Sequence, residues 1–159
     1  MLQNNYPLSL IMQLVDKLQG TKMFTKMDLR WSYNNICIKE EDKWKAAFVC
    51  HRGMFKSLVI FFGLCNSPST FQMMMNEIFA DMEDVVMIYI DNIMIFTKMD
   101  ESKKHDEIML EVLHCFEEND LYIKPKKCIF CITKVDFLRM IVEKDGIKMD
   151  QSKVKAILD

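Results

Sequence analysis

Residues 85–96 constrain the fold more than any other stretch. Val85-Val86-Met87-Ile88-Tyr89-Ile90 and Ile93-Met94-Ile95-Phe96 are two apolar, β-branched runs with only Asp91-Asn92 between them. Such a pattern predicts a strand hairpin closed by a two-residue turn. An acid at the tip of so apolar a hairpin is the least expected residue in the chain.

A second acid is presented in a similar way. Residues 23–27 alternate apolar and polar side chains like a half-buried strand and deliver Asp28 at its end. An antiparallel sheet can bring two such strand ends side by side. Two facing carboxylates repel unless a divalent cation lies between them, so the pair invites Mg²⁺, which takes oxygen ligands and keeps waters for substrate phosphates. The chemistry implied is phosphoryl transfer. The plain alternative is that each Asp is an ordinary turn residue.

Around these two points the chain alternates helices and short strands. Leu10, Ile11, Leu14, Val15 and Leu18 recur at helical spacing over residues 8–19, stopped by Gly20. Short strands are predicted at 36–38, 45–50 and 54–60, the first two separated by a charged turn over 39–43. Asn66-Ser67-Pro68 starts a helix whose stripe is Phe71, Met74, Met75, Ile78 and Phe79. Ile108, Met109, Val112, Leu113 and Phe116 mark a surface helix over 101–118. Strands near 121–123, 128–132, 135–138 and 140–142, a turn at Lys144-Asp145-Gly146 and a short helix from about 151 follow. The order predicts an α+β domain, an antiparallel sheet with helices on one face.

Composition bounds the rest. A chain of 159 residues with 50% hydrophobic and 28% charged side chains has room for one domain and a sizeable core. Its 21 Lys plus Arg against 23 Asp plus Glu provide no broad pull on a polyanion, so any nucleic-acid site must be local. Six scattered Cys and the absence of a basic, apolar leader predict an intracellular, reducing setting. The longest apolar run, residues 58–65, is too short to span a bilayer, so no membrane partner is expected.

Several blocks then fall into one recognisable order. These are Met23-Phe24-Thr25-Lys26-Met27-Asp28-Leu29-Arg30 with Tyr33 beyond, Phe62-Gly63-Leu64-Cys65-Asn66-Ser67-Pro68 running to Thr70-Phe71-Gln72, and Tyr89-Ile90-Asp91-Asn92 followed by Ile95-Phe96. Leu121-Tyr122, Lys126-Lys127-Cys128 and Val135-Asp136-Phe137-Leu138 continue the series. Over almost its whole length the chain resembles the reverse transcriptase of gypsy-type long-terminal-repeat retrotransposons and their retroviral relatives.

That resemblance implies a polymerase palm with partial fingers over residues 1–159, the N-terminal fingers, thumb and RNase H being other modules of a Pol polyprotein. It implies RNA-directed DNA polymerisation on an RNA template with a DNA primer and deoxynucleoside triphosphates, using two Mg²⁺ or Mn²⁺ ions. Asp28 and Asp91 would hold the ions, with Asn92 at the third catalytic position. Leu29 and Arg30 would offer backbone N–H groups to the triphosphate. Tyr33 would lie under the deoxyribose and exclude a 2′-hydroxyl, its plain alternative being a buried core Tyr. Phe62 and Gly63 would line the nucleotide, with Lys126 or Lys127 near the triphosphate and Lys127 a candidate proton donor. Tyr89 and Gln72 would face template and primer, and Phe137 and Leu138 would position the primer. The implied location is cytoplasmic, in a virus-like particle.

Three departures from the family pattern carry consequences. Its hairpin tip is Tyr-x-Asp-Asp, whereas Asn92 supplies a neutral amide, a poorer cation ligand. Phe61 stands for the usual Pro, and Arg139 for a Gly that the turn would favour. These changes predict impaired catalysis and leave a second reading open, an inactive palm that binds nucleic acid weakly or serves as a structural fragment. A third reading, zinc held by Cys128-x-x-Cys131 with His114-Cys115, is disfavoured because Cys residues three apart on a strand face opposite sides. His51 and His105 are expected at the surface.

Overall fold

The computed structural model describes residues 4, 6–7, 14, 16–98, 102–138, 140–143 and 146–149. Most of the predicted helix over 8–19, the Lys144-Asp145 turn and the helix from about 151 lie outside the described residues. Among the described residues nine strands and two long helices build an α+β domain. Its centre is a four-stranded antiparallel sheet formed by β1 (Met23–Asp28), β4 (Val86–Tyr89), β5 (Asn92–Thr97) and β6 (Ile129–Ile132), in the order β4-β5-β1-β6. Hairpins β2 (Ala47–Cys50) with β3 (Gly53–Lys56), and β7 (Lys134–Phe137) with β8 (Met140–Glu143) and β9 (Gly146–Met149), make two smaller sheets.

The period-two alternation of the central strands splits the molecule into two cores. Met27 of β1, Val86 and Ile88 of β4, and Ile93 and Ile95 of β5 point to one face. There they meet Phe71, Met75 and Phe79 from helix α1 (Ser67–Ile78) and its end, and Ile108, Val112 and Phe116 from helix α2 (Ser102–Glu118). The opposite set, Phe24, Met87, Met94 and Phe96, packs with Leu14, Leu18, Val135, Phe137 and Val142. Ser67 opens α1 by donating its hydroxyl to the Phe61 carbonyl, and Pro68 takes a first-turn position where no amide is needed.

Several sequence expectations shift in detail. The stretch 36–38 forms a lone bridge, Cys37 to Val59, instead of a strand, and 121–123 likewise forms only the bridge of Ile123 to Leu29. Residues 40–46 wind into a 3-10 turn, which holds Glu40–Lys43 and Asp42–Lys45 ion pairs three residues apart. His105 is a correction of another kind, being wholly buried and not at the surface. Its Nε2 lies 2.8 Å from Thr25 Oγ1 and its Nδ1 lies 3.2 Å from Thr97 Oγ1, so α2 is bonded to two sheet strands. The helical stripe 105, 108, 112, 116 already contains it.

Candidate active site

The hairpin turn comprises Ile90 and Asp91, one residue earlier than the sequence suggests, and Asn92 is a strand residue paired with both Tyr89 and Asp28. Ile90 has φ 56°, unusual for a β-branched residue, and it alone of the two turn residues is positive, as in a type II′ turn. Sequence reasoning would not place Ile there. Gln72 of α1 explains how it is held: its Oε1 accepts the Ile90 N–H at 2.9 Å and its Nε2 donates to the Ile88 carbonyl at 3.1 Å. The same amide nitrogen donates to Asn76 Oδ1 at 2.9 Å, and Asn76 donates to the Tyr6 hydroxyl at 2.8 Å. Gln72 is thus buried beneath the hairpin, not displayed towards a template.

The antiparallel register then sets Asp28 beside the turn that carries Asp91. Asp28 opposes Asn92, placing their Cα atoms about 4.5–5.5 Å apart, and the Leu29 N–H donates to the Asp91 carbonyl at 3.3 Å. Alternation puts Asp28, Asn92 and Tyr89 on the sheet face away from α1 and α2, at the end of the strands. Asn92 Nδ2 donates to Asp91 Oδ1 at 3.1 Å, so the amide that replaces a carboxylate also occupies an oxygen of its neighbour.

A short segment closes the site from below. The Arg30 N–H donates to the Tyr122 carbonyl at 2.7 Å and the Lys124 N–H to the Asp28 carbonyl at 2.8 Å, after which Pro125–Lys127 turns as a 3-10 helix. Lys124 Nζ reaches Asp28 Oδ1 at 2.9 Å, and Lys127 Nζ lies 3.5 Å from Oδ2. Leu29 and Arg30 therefore have their backbone N–H groups engaged within the protein, and neither is free for a triphosphate in this conformation. Lys124 is not among the site residues that the resemblance implies; its signal is the Lys124-Pro125-x-Lys127 spacing, which one 3-10 turn folds onto a single side.

Tyr33 follows Trp31 in a tight turn (Ser32–Asn35) and is buried, its ring meeting Phe62 at 4.6 Å and Phe71 at 5.6 Å, both edge-on. Burial first, and the Asp91 charge second, push its phenol above the usual value. Phe62 is 74% exposed, and Gly63 beside it has φ 105°, a conformation that favours glycine. The Arg30 guanidinium stacks on Trp31 at 4.4 Å. The structure thus gathers Asp28, Asp91, Asn92, Tyr89, Tyr33, Phe62 and Lys127 around one sheet end. Phe137 and Leu138 belong elsewhere, to the β7–β8 hairpin, where Phe137 fills the second core and Leu138 takes φ 51° at the turn.

Among the described residues no three His, Cys, Asp or Glu side chains gather to hold a metal. Cys128 donates to the Lys124 carbonyl and Cys131 to Asp106 instead. No helix among them is long and apolar enough to cross a membrane.

An antiparallel sheet that sets Asp28 at a strand end beside the Asp91 turn fits a polymerase palm, and comparison with known proteins makes the class specific. The family model described as reverse transcriptase (RNA-dependent DNA polymerase) matches residues 2–142. The chain belongs to this family. It is 35% identical over 156 residues to the Transposon Tf2-7 and Tf2-3 polyproteins of Schizosaccharomyces pombe, covering 98% of the chain but 12% of each polyprotein. It is similar in fold to foamy viral protease-reverse transcriptase in complex with RNA/DNA hybrid, at TM-score 0.88 and 18% identity over 99% of this chain and 21% of that one. The related dRH form in complex with double-stranded DNA matches at TM-score 0.90 and 18% identity, over 100% of this chain and 28% of that one. The chain therefore corresponds to a reverse transcriptase portion of a retrotransposon-type polyprotein and spans about an eighth of the relatives' length.

Proposed function

We propose that the chain carries the nucleotidyl-transfer site of an RNA-directed DNA polymerase, acting inside the cell on an RNA template with a DNA primer and deoxynucleoside triphosphates. The observation that supports this most is the register that brings Asp28 and the Asp91 turn together at one end of the sheet, beyond the second core. The oxygen donors present, two carboxylates and the Asn92 carbonyl, fit a hard divalent cation that takes its remaining ligands from water and phosphate. Asp28 and Asp91 would hold Mg²⁺ or Mn²⁺, which supplies charge stabilisation at the attacking and leaving oxygens of an in-line displacement.

The chain's own residues do the rest. Gln72 fixes the turn from which Asp91 projects, and Tyr33, backed by Phe62 and Phe71, offers a rigid aromatic wall beside Asp91. Lys127, exposed and next to Asp28, is positioned to meet phosphate charge. The RNA/DNA hybrid and double-stranded DNA bound by the foamy viral relatives support a duplex partner at this end of the sheet.

Primer extension on an RNA template, with Asp28→Ala as background, tests the reading. Extension by the chain that Asp28→Ala abolishes supports it; equal signal from both, or none even from Asn92→Asp, rejects it. One observation favours an inactive, weakly binding palm as second reading: Asn92 lacks the carboxylate and spends its amide on Asp91. Extension by Asn92→Asp alone would establish that reading for the native sequence.

A further inference from the structure

We infer that Lys124 is a tethered cation for Asp28: it holds the carboxylate when no divalent ion is bound and must leave when one binds, thereby setting the divalent affinity of the site. The inference rests on the metal-binding reading proposed above and adds a residue to it. Three observations carry it.

The first is anchorage. Lys124 donates its backbone N–H to the carbonyl of the same residue whose carboxylate its Nζ holds at 2.9 Å. With the Leu29–Ile123 bridge and the Arg30–Tyr122 bond on the same segment, the stem starts from a fixed point beside Asp28. The second is demand. The Asp28 side chain is only 12% exposed, and its hydrogen-bond partners among the described residues are the two ammonium groups of Lys124 and Lys127. A carboxylate so far removed from water needs a compensating charge. The third is asymmetry. Lys127 lies farther away, at 3.5 Å, and is 63% exposed, whereas Lys124 is 36% exposed, so Lys124 supplies most of that compensation.

A divalent ion sits about 2.0–2.1 Å from a carboxylate oxygen. An ammonium group bonded to that oxygen would face it at a few ångströms, and the two positive charges repel strongly where solvent is sparse. The flexible four-carbon stem of Lys lets the ammonium swing to water. Ammonium and divalent ion therefore compete for Asp28, and the coupling runs in both directions.

Mn²⁺ binding by the 159-residue chain, followed by electron paramagnetic resonance, tests this with Lys124→Met, Lys124→Arg and Asp28→Asn. Lys124→Met is expected to bind Mn²⁺ about tenfold more tightly, within the usual range of coupling between two sites, Lys124→Arg close to the parent, and Asp28→Asn to lose the site. Affinity unchanged or weakened in Lys124→Met, while Asp28→Asn still loses the site, overturns the inference alone. Binding insensitive to Asp28→Asn overturns the metal reading and the inference with it. Should Lys124→Met fail to fold, Mg²⁺ titration of the unsubstituted chain decides by the Cε–Hε NMR signals of Lys124. Signals that move towards those in Asp28→Asn support displacement; signals that stay while Mg²⁺ binds refute it.

Discussion

The two faces of strand β1 handle polar side chains in opposite ways. Thr25 points under α2, where it and Thr97 bracket the imidazole of the wholly buried His105, and its hydroxyl also accepts the Cys131 N–H at 3.1 Å. Every member of that group is neutral and bonded. Asp28, three residues on, points to the opposite face at the end of the strand, and two lysine ammonium groups balance its charge. A neutral network can be buried between helix and sheet because one imidazole nitrogen accepts while the other donates. For the cation-binding role proposed above, a charge has to stay at the rim, balanced by groups able to move away. The first arrangement favours stability and the second favours exchange.

Breaking the buried network is expected to cost most. Thr25→Val keeps shape but strands His105 Nε2 and frees the partly buried Cys131 N–H, a loss of about 3 kcal/mol that falls mainly on the buried imidazole. Urea unfolding should show a lower midpoint at unchanged slope, with Thr25→Ser recovering most of it; a loss below about 1 kcal/mol would show that water enters the site. Gln72→Leu comes next, at about 2 kcal/mol. It frees the Ile90 N–H and the Ile88 carbonyl, but the Ile90 end is only partly buried and water can replace part of the loss. The same unfolding measurement checks it, and Gln72→Glu, which keeps an acceptor for Ile90, is expected to fall between.

The fold was legible where period and turn chemistry agree. The hairpin over 85–96, the helix start at Asn66-Ser67-Pro68 and the strand ending in Asp28 all form where the sequence indicates, because apolar spacing and the Ser67-Pro68 start specify them. The site was legible as a pair of acids but not as a geometry. The turn is displaced by one residue because Gln72, eighteen positions away in sequence, grips Ile90, and no local rule contains that contact. Gln72 itself was expected, by resemblance, on the template side of its helix, and only the position of the hairpin over α1 turns it inward. Lys124 likewise became visible only when the antiparallel bridge at Ile123 laid it against Asp28.

A smaller effect separates the two faces by pH. Burial is the main influence on His105 and lowers its pKa, with Asp106 opposing more weakly. An unfolded His takes a proton near pH 6.5. Above that pH both states are neutral and the network contributes fully; as pH falls through about 6.5 the unfolded chain protonates first, and stability drains until the folded imidazole follows. Unfolding midpoints between pH 7 and 5 should therefore fall in the parent chain and less so in His105→Gln. That window avoids Glu40 and Glu143, whose pKa values are lowered from 4.5 by Lys43 and Lys148, so their contributions are lost only at more acid pH. A flat profile in the parent would mean that His105 accepts a proton without leaving its site.

The smallest expected change belongs to the Asp28 end of the sheet. Lys127 lies at the edge of hydrogen-bond range from Asp28 and is mostly in water, so its pair with the acid contributes under about 1 kcal/mol. Lys127→Met should leave the urea midpoint nearly unmoved in 0.15 M salt, where screening acts over about 8 Å. The comparison sharpens when the same substitution is placed at Lys124, whose backbone is bonded to Asp28 and whose ammonium is better shielded. Lys124→Met should lower stability measurably more, and raising salt should narrow the difference only partly, because a half-buried pair is screened less than an exposed one. Equal effects at the two positions would mean that Asp28 senses a diffuse positive field, in which case its readiness for a cation lies in the whole 124–127 turn and not in one side chain.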